Sequence, residues 1–230
     1  MTIENRLLAC LPEEEFARLS RHMERVSLSH GQYAIVPEEP IRDVYFPLTC
    51  LLSLVTILED GSTVESGTIG REGMSGIPVL LDAKSTPMPT FAQIPGYALK
   101  IRASVLKEMY EERGHLHKLL NRYIHTVIVT GSQSTACNAR HNVEERLCRW
   151  LLMSSDGVGS DELNLTQEFL ATMLGVRRPG VSQAAGALQE AGLISYNRGT
   201  IKILDRAGLE RAVCECYRMS KAEYDRLFSS

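Results

Sequence analysis

The 230-residue chain is 44% hydrophobic and 23% charged, with a formal net charge of −3, a composition that suits a globular protein with a buried core and excludes a disordered or fibrous one. No apolar run reaches the roughly 18–20 residues of a membrane-spanning helix, and Met1 to Cys10 is too polar and short for a signal peptide, so the chain reads as cytoplasmic with no membrane partner. Six scattered cysteines (Cys10, Cys50, Cys137, Cys148, Cys214, Cys216) form no CxxC, so thiols are expected and no spacing suggests a zinc or iron–sulfur site.

Residues 4–25 place Leu7, Leu8, Leu11, Phe16, Leu19 and Met23 at helical spacing. They read as two short helices, one starting at Pro12 with Glu13 to Glu15 at its positive end. His22 and His30 have no partner at metal-ligand spacing. From Ser27 to Ile101 the pattern changes to short strands: Tyr33–Val36, Val44–Phe46, Leu51–Leu58, Ser62–Ile69, Ile77–Leu81, Thr90–Ile94 and Tyr97–Ile101. Glu59-Asp60-Gly61 is a hairpin turn between two of them. Such a series predicts a β-barrel or jelly roll. The stretch Gly70-Arg-Glu-Gly-Met-Ser-Gly76 interrupts it, and its three glycines leave backbone N–H groups to face something.

A short helix is expected over Ala103–Glu112 and a long one over His115–Ala139. On the long helix Leu116, Leu120, Tyr123, Val127, Thr130, Ser134 and Cys137 repeat with steps of four and three, a heptad seam. Leu119, Ile124 and Ile128 form a second strip. A helix apolar on two sides is either an ordinary core helix or pressed between two partners: the β-domain and, for the seam Leu116 to Ser134, a second subunit. Asn138 to Asn142 breaks the pattern as a hinge. Val143–Met153 is amphipathic, with Val143, Leu147, Trp150 and Leu151 inward, and Ser154–Glu162 reads as a loop.

Leu165 to Ile194 then holds two short helical patterns, Gln167–Leu174 and Pro179–Glu190, meeting at Gly175-Val176. A glycine suits the positive φ of a tight turn, Ala171 allows close approach, and Val181 packs back into the angle. That is helix-turn-helix spacing, whose second helix enters a DNA major groove. Ser195 to Ile203 supplies two strands around Asn197-Arg198-Gly199, completing a winged helix. Asp205 caps a helix over Ala207–Tyr217, and a last one covers Lys221–Phe228. On a continuous helix Cys214 and Cys216 point about 200° apart, a poor clamp for metal or redox chemistry.

The net acidity looks unsuited to nucleic acid, but it lies wholly in residues 1–139, with 13 basic against 16 acidic side chains. Residues 140–204 balance at 7 and 7, and Arg177 to Gln189 holds two arginines and no acid. Local charge at the docking surface governs phosphate attraction.

A jelly-roll-like domain, a long helix, a hinge and a winged helix, in that order, resemble the Crp/Fnr family of bacterial transcription regulators. The resemblance covers roughly residues 5 to 204 and is carried by Gly70 to Gly76, the long helix, Asn142-Val-Glu-Glu-Arg-Leu147 and Leu165 to Ile203. It implies an α+β protein: an effector-sensing, cyclic-nucleotide-binding-like β-barrel domain with the dimerisation helix over 1–139, and a winged helix-turn-helix domain with a helical extension over 140–230. It also implies a homodimer that binds double-stranded DNA and recruits or blocks RNA polymerase. Gly70, Glu72, Gly73, Met74 and Ser75 then stand where an effector would be held. Cyclic-nucleotide-binding members follow the glycine-glutamate turn with an arginine for the cyclic phosphate; Asp82 to Gln93 contains none, only Lys84. Cyclic AMP is therefore disfavoured, and the cysteine cluster of iron–sulfur sensors and any haem ligation pattern are absent.

On the recognition helix Arg178 takes the place of the family's first arginine, Pro179 that of its glutamate, and Ser182 and Gln183 follow. Arginine favours guanine and glutamine adenine; the missing glutamate removes an acceptor for cytosine. Because Arg178 precedes proline, the helix is expected to start at Pro179, with Arg177 and Arg178 projecting from its end. Thr166, Gln167 and Arg198 are expected phosphate contacts. The alternative is a ligand-sensing dimer whose winged helix binds protein. No enzyme is expected: no nucleophile–base set is visible, and Gly70 to Gly76 lacks the lysine of a phosphate loop.

Overall fold

Alternating apolar and polar residues bury one face only when strands pair into layers. The computed structural model, which describes residues 3–229, has three antiparallel sheets, two of which pack as layers in the first half of the chain. Met1, Thr2 and Ser230, the outermost residues of the two expected domains, lie outside the described residues. The first layer has the order β1 (Glu24–Leu28), β7 (Gly96–Arg102), β3 (Asp43–Pro47). The second has the order β2 (Tyr33–Ile35), β6 (Thr90–Ile94), β4 (Leu51–Ile57), β5 (Thr63–Ile69). Leu28, Cys50, Leu52, Ala92 and Ala98 fill the space between them, giving a jelly-roll-like domain. The hairpin expected at Glu59 to Gly61 joins β4 to β5, with Gly61 at φ +80° and the Ser62 amide donating to Asp60 Oδ1 at 2.9 Å.

Several local expectations need correction. Ile77–Leu81 is not a strand but a short helix, α2 (Ile77–Leu80): Pro78 cannot donate to a ladder, and Gly76 at φ +83° turns the chain into the helix. β1 has no counterpart among the expected strands: it opens with the exposed Glu24 and Arg25 and buries only Leu28. Before it come a single turn of 3-10 helix (Leu8–Cys10) and α1 (Glu13–Ser20). After β7 come α3 (Ala103–Glu111) and α4 (His115–Arg140). The expected hinge shrinks to His141 and Asn142, since α4 continues to Arg140 and a capping box between Asn142 and Glu145 starts α5 (Val143–Val158) at once. Most of the expected Ser154–Glu162 loop is helix, closed by Gly159 in the left-handed region. β8 (Glu162–Asn164) follows and edges the winged-helix sheet.

The seam of α4 faces its own chain. Leu116, Leu120, Tyr123 and Thr130 are buried and Val127 and Ser134 half-buried without any second subunit. They pack on the β-domain and on α9 (Glu215–Phe228), which runs back along α4. Four of the six residues expected at a subunit contact are thus already buried within the chain. Burying a large apolar side chain stabilises by about 1.5–3 kcal/mol, so a nearby partner in the same chain takes it. The strip left outside contains Asn121, His125, Ile128, Ser132 and Thr135, with Ile128 63% exposed.

The Gly70–Gly76 turn is also occupied from within. A Cβ at Gly70 would lie 2.4 Å from Gly157 Cα on α5, and one at Gly73 2.3 Å from the Tyr123 hydroxyl on α4. The amides of Gly70, Arg71, Gly73, Met74 and Ser75 donate to Glu72, Gly157, Gly70, Tyr123 and Tyr45 in that order. Each of these amides is satisfied within the chain. Close approach of two helices, rather than an anion, is what the glycines here permit.

The β-domain and α5 also meet through a buried carboxyl. Glu65 on β5 accepts hydrogen bonds from Ser53 (2.6 Å) and from Trp150 Nε1 on α5 (2.8 Å), yet burial outweighs them and pushes its carboxyl up to about 7. The folded chain thus binds a proton the unfolded chain has already released between about pH 4.5 and 7. Stability falls as pH rises through that window and levels off above it. Glu65→Gln should flatten this dependence, stabilising the chain by roughly 1–3 kcal/mol near pH 8 and little near pH 4.5; urea unfolding at both pH values checks it.

Candidate nucleic-acid interface

A short helix docks its apolar face only if both ends are satisfied, and the helix-turn-helix meets that condition with its own side chains. Thr166 caps α6 (Gln167–Leu174) by accepting the Phe169 amide. Gly175 closes it at φ +60°, and the Val176 amide returns to the Ala171 carbonyl at 2.9 Å. Ala171 and Val181 are buried where α6 crosses α7 (Arg178–Glu190). Pro179 sits in the first turn of α7, and Arg177 rather than Arg178 takes the extended backbone before it. The helix thus starts one residue earlier than expected: proline constrains its predecessor, but Arg177 at ψ 145° absorbs the turn.

The wing is built as expected from β9 (Ile194–Asn197) and β10 (Thr200–Ile203), with Arg198 and Gly199 both at positive φ, the requirement of the hairpin turn that matches strand twist. It is fastened to the start of α6. The Leu165 amide donates to the Gly199 carbonyl at 2.6 Å, the Tyr196 hydroxyl to the Leu165 carbonyl at 3.0 Å, and the Thr200 hydroxyl to Asn164 Oδ1 at 2.9 Å.

These fixings place the candidate residues around one concavity. A groove of about 420 Å³ is lined by Thr166, Gln167, Glu168, Arg178, Tyr196, Arg198 and Gly199. Four of the seven expected DNA-contacting residues therefore converge there, from α6, α7 and the wing. Arg177, Arg178, Gln183 and Arg198 are exposed, and none of the three arginines has an ion-pair partner among the described residues. Ser182 instead donates to Gln167 Oε1 at 2.8 Å. That bond ties the two helix starts together and leaves the Gln167 amide group for an outside acceptor. Glu168 is the one acid on the groove wall.

A second cavity, of about 330 Å³, lies between β5, β6, α2, α4 and α9. Of the five expected effector contacts only Met74 reaches it. Gly70, Glu72, Gly73 and Ser75 point elsewhere, and the buried Glu72 carboxyl, raised by desolvation, is folded back onto the Gly70 amide. Of the residues that do line it, Tyr123 and Thr130 belong to the seam read as a subunit contact, while Ile35, Leu54, Met88 and Tyr224 carry no sequence signal that marks them as a site. Tyr224 belongs to α9, whose return no local pattern announces.

The cysteines also differ from expectation. The chain breaks at Val213-Cys214, between α8 (Arg206–Ala212) and α9, so Cys214 is extended and Cys216 lies in the first turn. The expected helices over Ala207–Tyr217 and Lys221–Phe228 are thereby redrawn. Asp205 caps α8 as expected, accepting the Gly208 amide at 2.8 Å. In space, Cys137, His141, Cys214 and Cys216 bring one ligand atom each within 4.8 Å of one another, so the expected lack of any metal-ligand constellation is overturned. Cys137 and His141, four apart at the end of a helix, are the legible half of it.

Comparison with known proteins adds the following. Residues 145–212 match the model of the Crp-like helix-turn-helix domain. FixK2 from Bradyrhizobium japonicum is similar at 16% identity over 84% of this chain and 98% of its own, with a TM-score of 0.68. TTHB099, a CRP-family transcriptional regulator from Thermus thermophilus, is similar at 19% identity over 82% and 95%, with a TM-score of 0.65. CLP, a c-di-GMP-responsive global regulator from Xanthomonas campestris, is similar at 14% identity over 84% and 100%, with a TM-score of 0.67. The comparison with curated proteins gives no match. At these identities the likeness is one of fold, and among the described residues no helix is long and apolar enough to cross a membrane. Residues 145–212 are therefore a Crp-like helix-turn-helix domain, in a chain whose fold is like that of these solved regulators.

Proposed function

We propose that this chain is a homodimeric, sequence-specific DNA-binding transcription regulator, switched by a ligand held between its β-domain and long helix. The observation that carries the reading is the convergence of Thr166, Gln167, Arg178 and Arg198 on one groove at the start of the recognition helix. Arginines without ion-pair partners, amides at a helix start and a fastened wing are what a phosphate backbone and a base edge require together. Arg178 and Gln183 read bases; Arg177, Thr166, Gln167 and Arg198 hold phosphates. With no glutamate at Pro179, the half-site differs from the family's usual one.

The cavity supports a neutral, largely apolar effector rather than cyclic AMP. None of the residues lining it carries a charge, and Lys84 is exposed elsewhere. A cyclic phosphate buried there would lose its water without gaining a guanidinium. Two copies meet along the outward strip of α4 around Ile128, since the inward seam is already covered.

Three outcomes follow. In fluorescence anisotropy on genomic fragments, Arg178→Ala should abolish preference between specific and non-specific DNA; retained preference would remove Arg178 from base readout. Arg198→Ala should weaken all sequences alike and lower the salt slope by about 1. Ile128→Glu should shift the chain from dimer to monomer in analytical ultracentrifugation, whereas an unchanged dimer would place the interface elsewhere.

A further inference from the structure

The end of α4 and the start of α9 enclose a set of side chains that neither the DNA interface nor the effector cavity uses. Cys137, Cys214 and Cys216 are buried and His141 is half-buried. Cys137 Sγ lies 3.7 Å from Cys214 Sγ, and Cys216 Sγ lies 3.5 Å from His141 Nδ1. Tetrahedral zinc, with bonds of about 2.3 Å to sulfur and about 2.0–2.1 Å to nitrogen, requires sulfur–sulfur separations near ~3.8 Å and sulfur–nitrogen separations near ~3.6 Å. Both observed distances fit. A disulfide does not: its sulfurs stand about 2.05 Å apart, and pairing two of three thiols leaves the third and the histidine unexplained.

The surroundings fit as well. His141 Nε2 faces Glu215 Oε2 at 3.3 Å, so the carboxylate orients the ring with Nδ1 toward the sulfurs, the usual outer partner of a metal-bound imidazole. Gln133 Nε2 donates to Cys216 Sγ at 3.1 Å, a bond that supports a thiolate. Three thiolates and Zn²⁺ leave one negative charge, and the buried Arg149 guanidinium stands near Cys137. Its Nε has no hydrogen-bond partner among the described residues.

From this geometry we infer a Cys3His site for a tetrahedral, thiolate-preferring divalent ion, Zn²⁺ foremost, formed by Cys137, His141, Cys214 and Cys216. All four positions are protein ligands, so the site is closed and structural rather than hydrolytic. On loading, the three thiols release their protons to solvent and the imidazole binds neutral through Nδ1. The ion closes a loop of 77 residues between Cys137 and Cys214. It fastens the start of α9 to the end of α4, across the two-residue joint that leads into the winged helix. The site stands whether or not the chain binds DNA.

The test uses the full chain purified under reducing conditions. Metal analysis should find one equivalent of Zn²⁺ per chain. After chelation, Co²⁺ should give the visible bands of tetrahedral cobalt with sulfur-to-cobalt charge transfer, bleached by added Zn²⁺. Cys137→Ser and Cys214→Ser, each leaving two thiolates in place of three, should weaken the charge-transfer band, while Cys10→Ser, whose thiol is outside the cluster, should leave it unchanged. Glu215→Gln should weaken zinc by about 10–100-fold without changing the cobalt spectrum. Should the cysteine variants fail to fold, His141→Cys decides: it should keep tetrahedral cobalt with stronger sulfur charge transfer. Octahedral cobalt, a spectrum unchanged in Cys137→Ser, an iron–sulfur chromophore, or a Cys137–Cys214 disulfide in freshly purified protein would each overturn the site.

Discussion

Everything in this molecule leans on α4 being buried inside its own chain. Its seam, from Leu116 through Tyr123 to Thr130, has the β-domain on one flank and α9 on the other. Tyr123 shows how tight the fit is. Its hydroxyl accepts the Met74 amide at 3.1 Å and donates to the Met74 carbonyl at 3.0 Å, filling the space that Gly73 leaves open. A buried hydroxyl without partners would cost about 1–3 kcal/mol, so the glycine turn and the helix hold each other in place. The cavity of about 330 Å³ is the room left where this packing is incomplete, between α4, α9 and the strands β5 and β6.

Under the proposed switching, a signal in the β-domain would reach the helix-turn-helix through few elements. The Gly70-Arg71 turn meets the end of α5 through the Arg71 amide and Gly157 carbonyl at 2.9 Å, and Glu65 meets Trp150 on the same helix. Met173, on the first helix of the helix-turn-helix, lies 3.4 Å from the Ser53 hydroxyl on β4. A ligand that spreads β5 from α4 would move these contacts together. Only differential affinity for two such arrangements can make it a switch.

How much of this is legible in the sequence depends on whether the signal is local. The bounds of α6, the glycine turn, the wing and the hairpin at Asp60-Gly61 follow from residues within four or five positions of each other, and they read correctly. Ile77–Leu80 misleads because its apolar run has no period of its own and Pro78 decides its state. β1 escapes notice because it opens with two exposed charges, Glu24 and Arg25, and buries only Leu28. The larger departures are all tertiary. Along the α4 seam, periodicity reports that a face is buried, not by what, and α9 arrives there from far along the chain. Cys214 and Cys216 look divergent when a helix is drawn through the break that lets them converge. The glycines of Gly70 to Gly76 resemble a ligand cradle, whereas their close neighbours are Gly157 and Tyr123.

In the groove at Arg178 the fold, the charge and the family resemblance meet on one surface, although the chain as a whole is acidic. Two copies presenting that groove would read two half-sites about one helical turn apart, roughly 10–10.5 base pairs centre to centre. Selection from random double-stranded DNA by the purified full chain tests this most directly. Enrichment of a two-fold-symmetric sequence with that spacing is the predicted result; recovery of no common sequence, at low and moderate salt alike, would contradict the account.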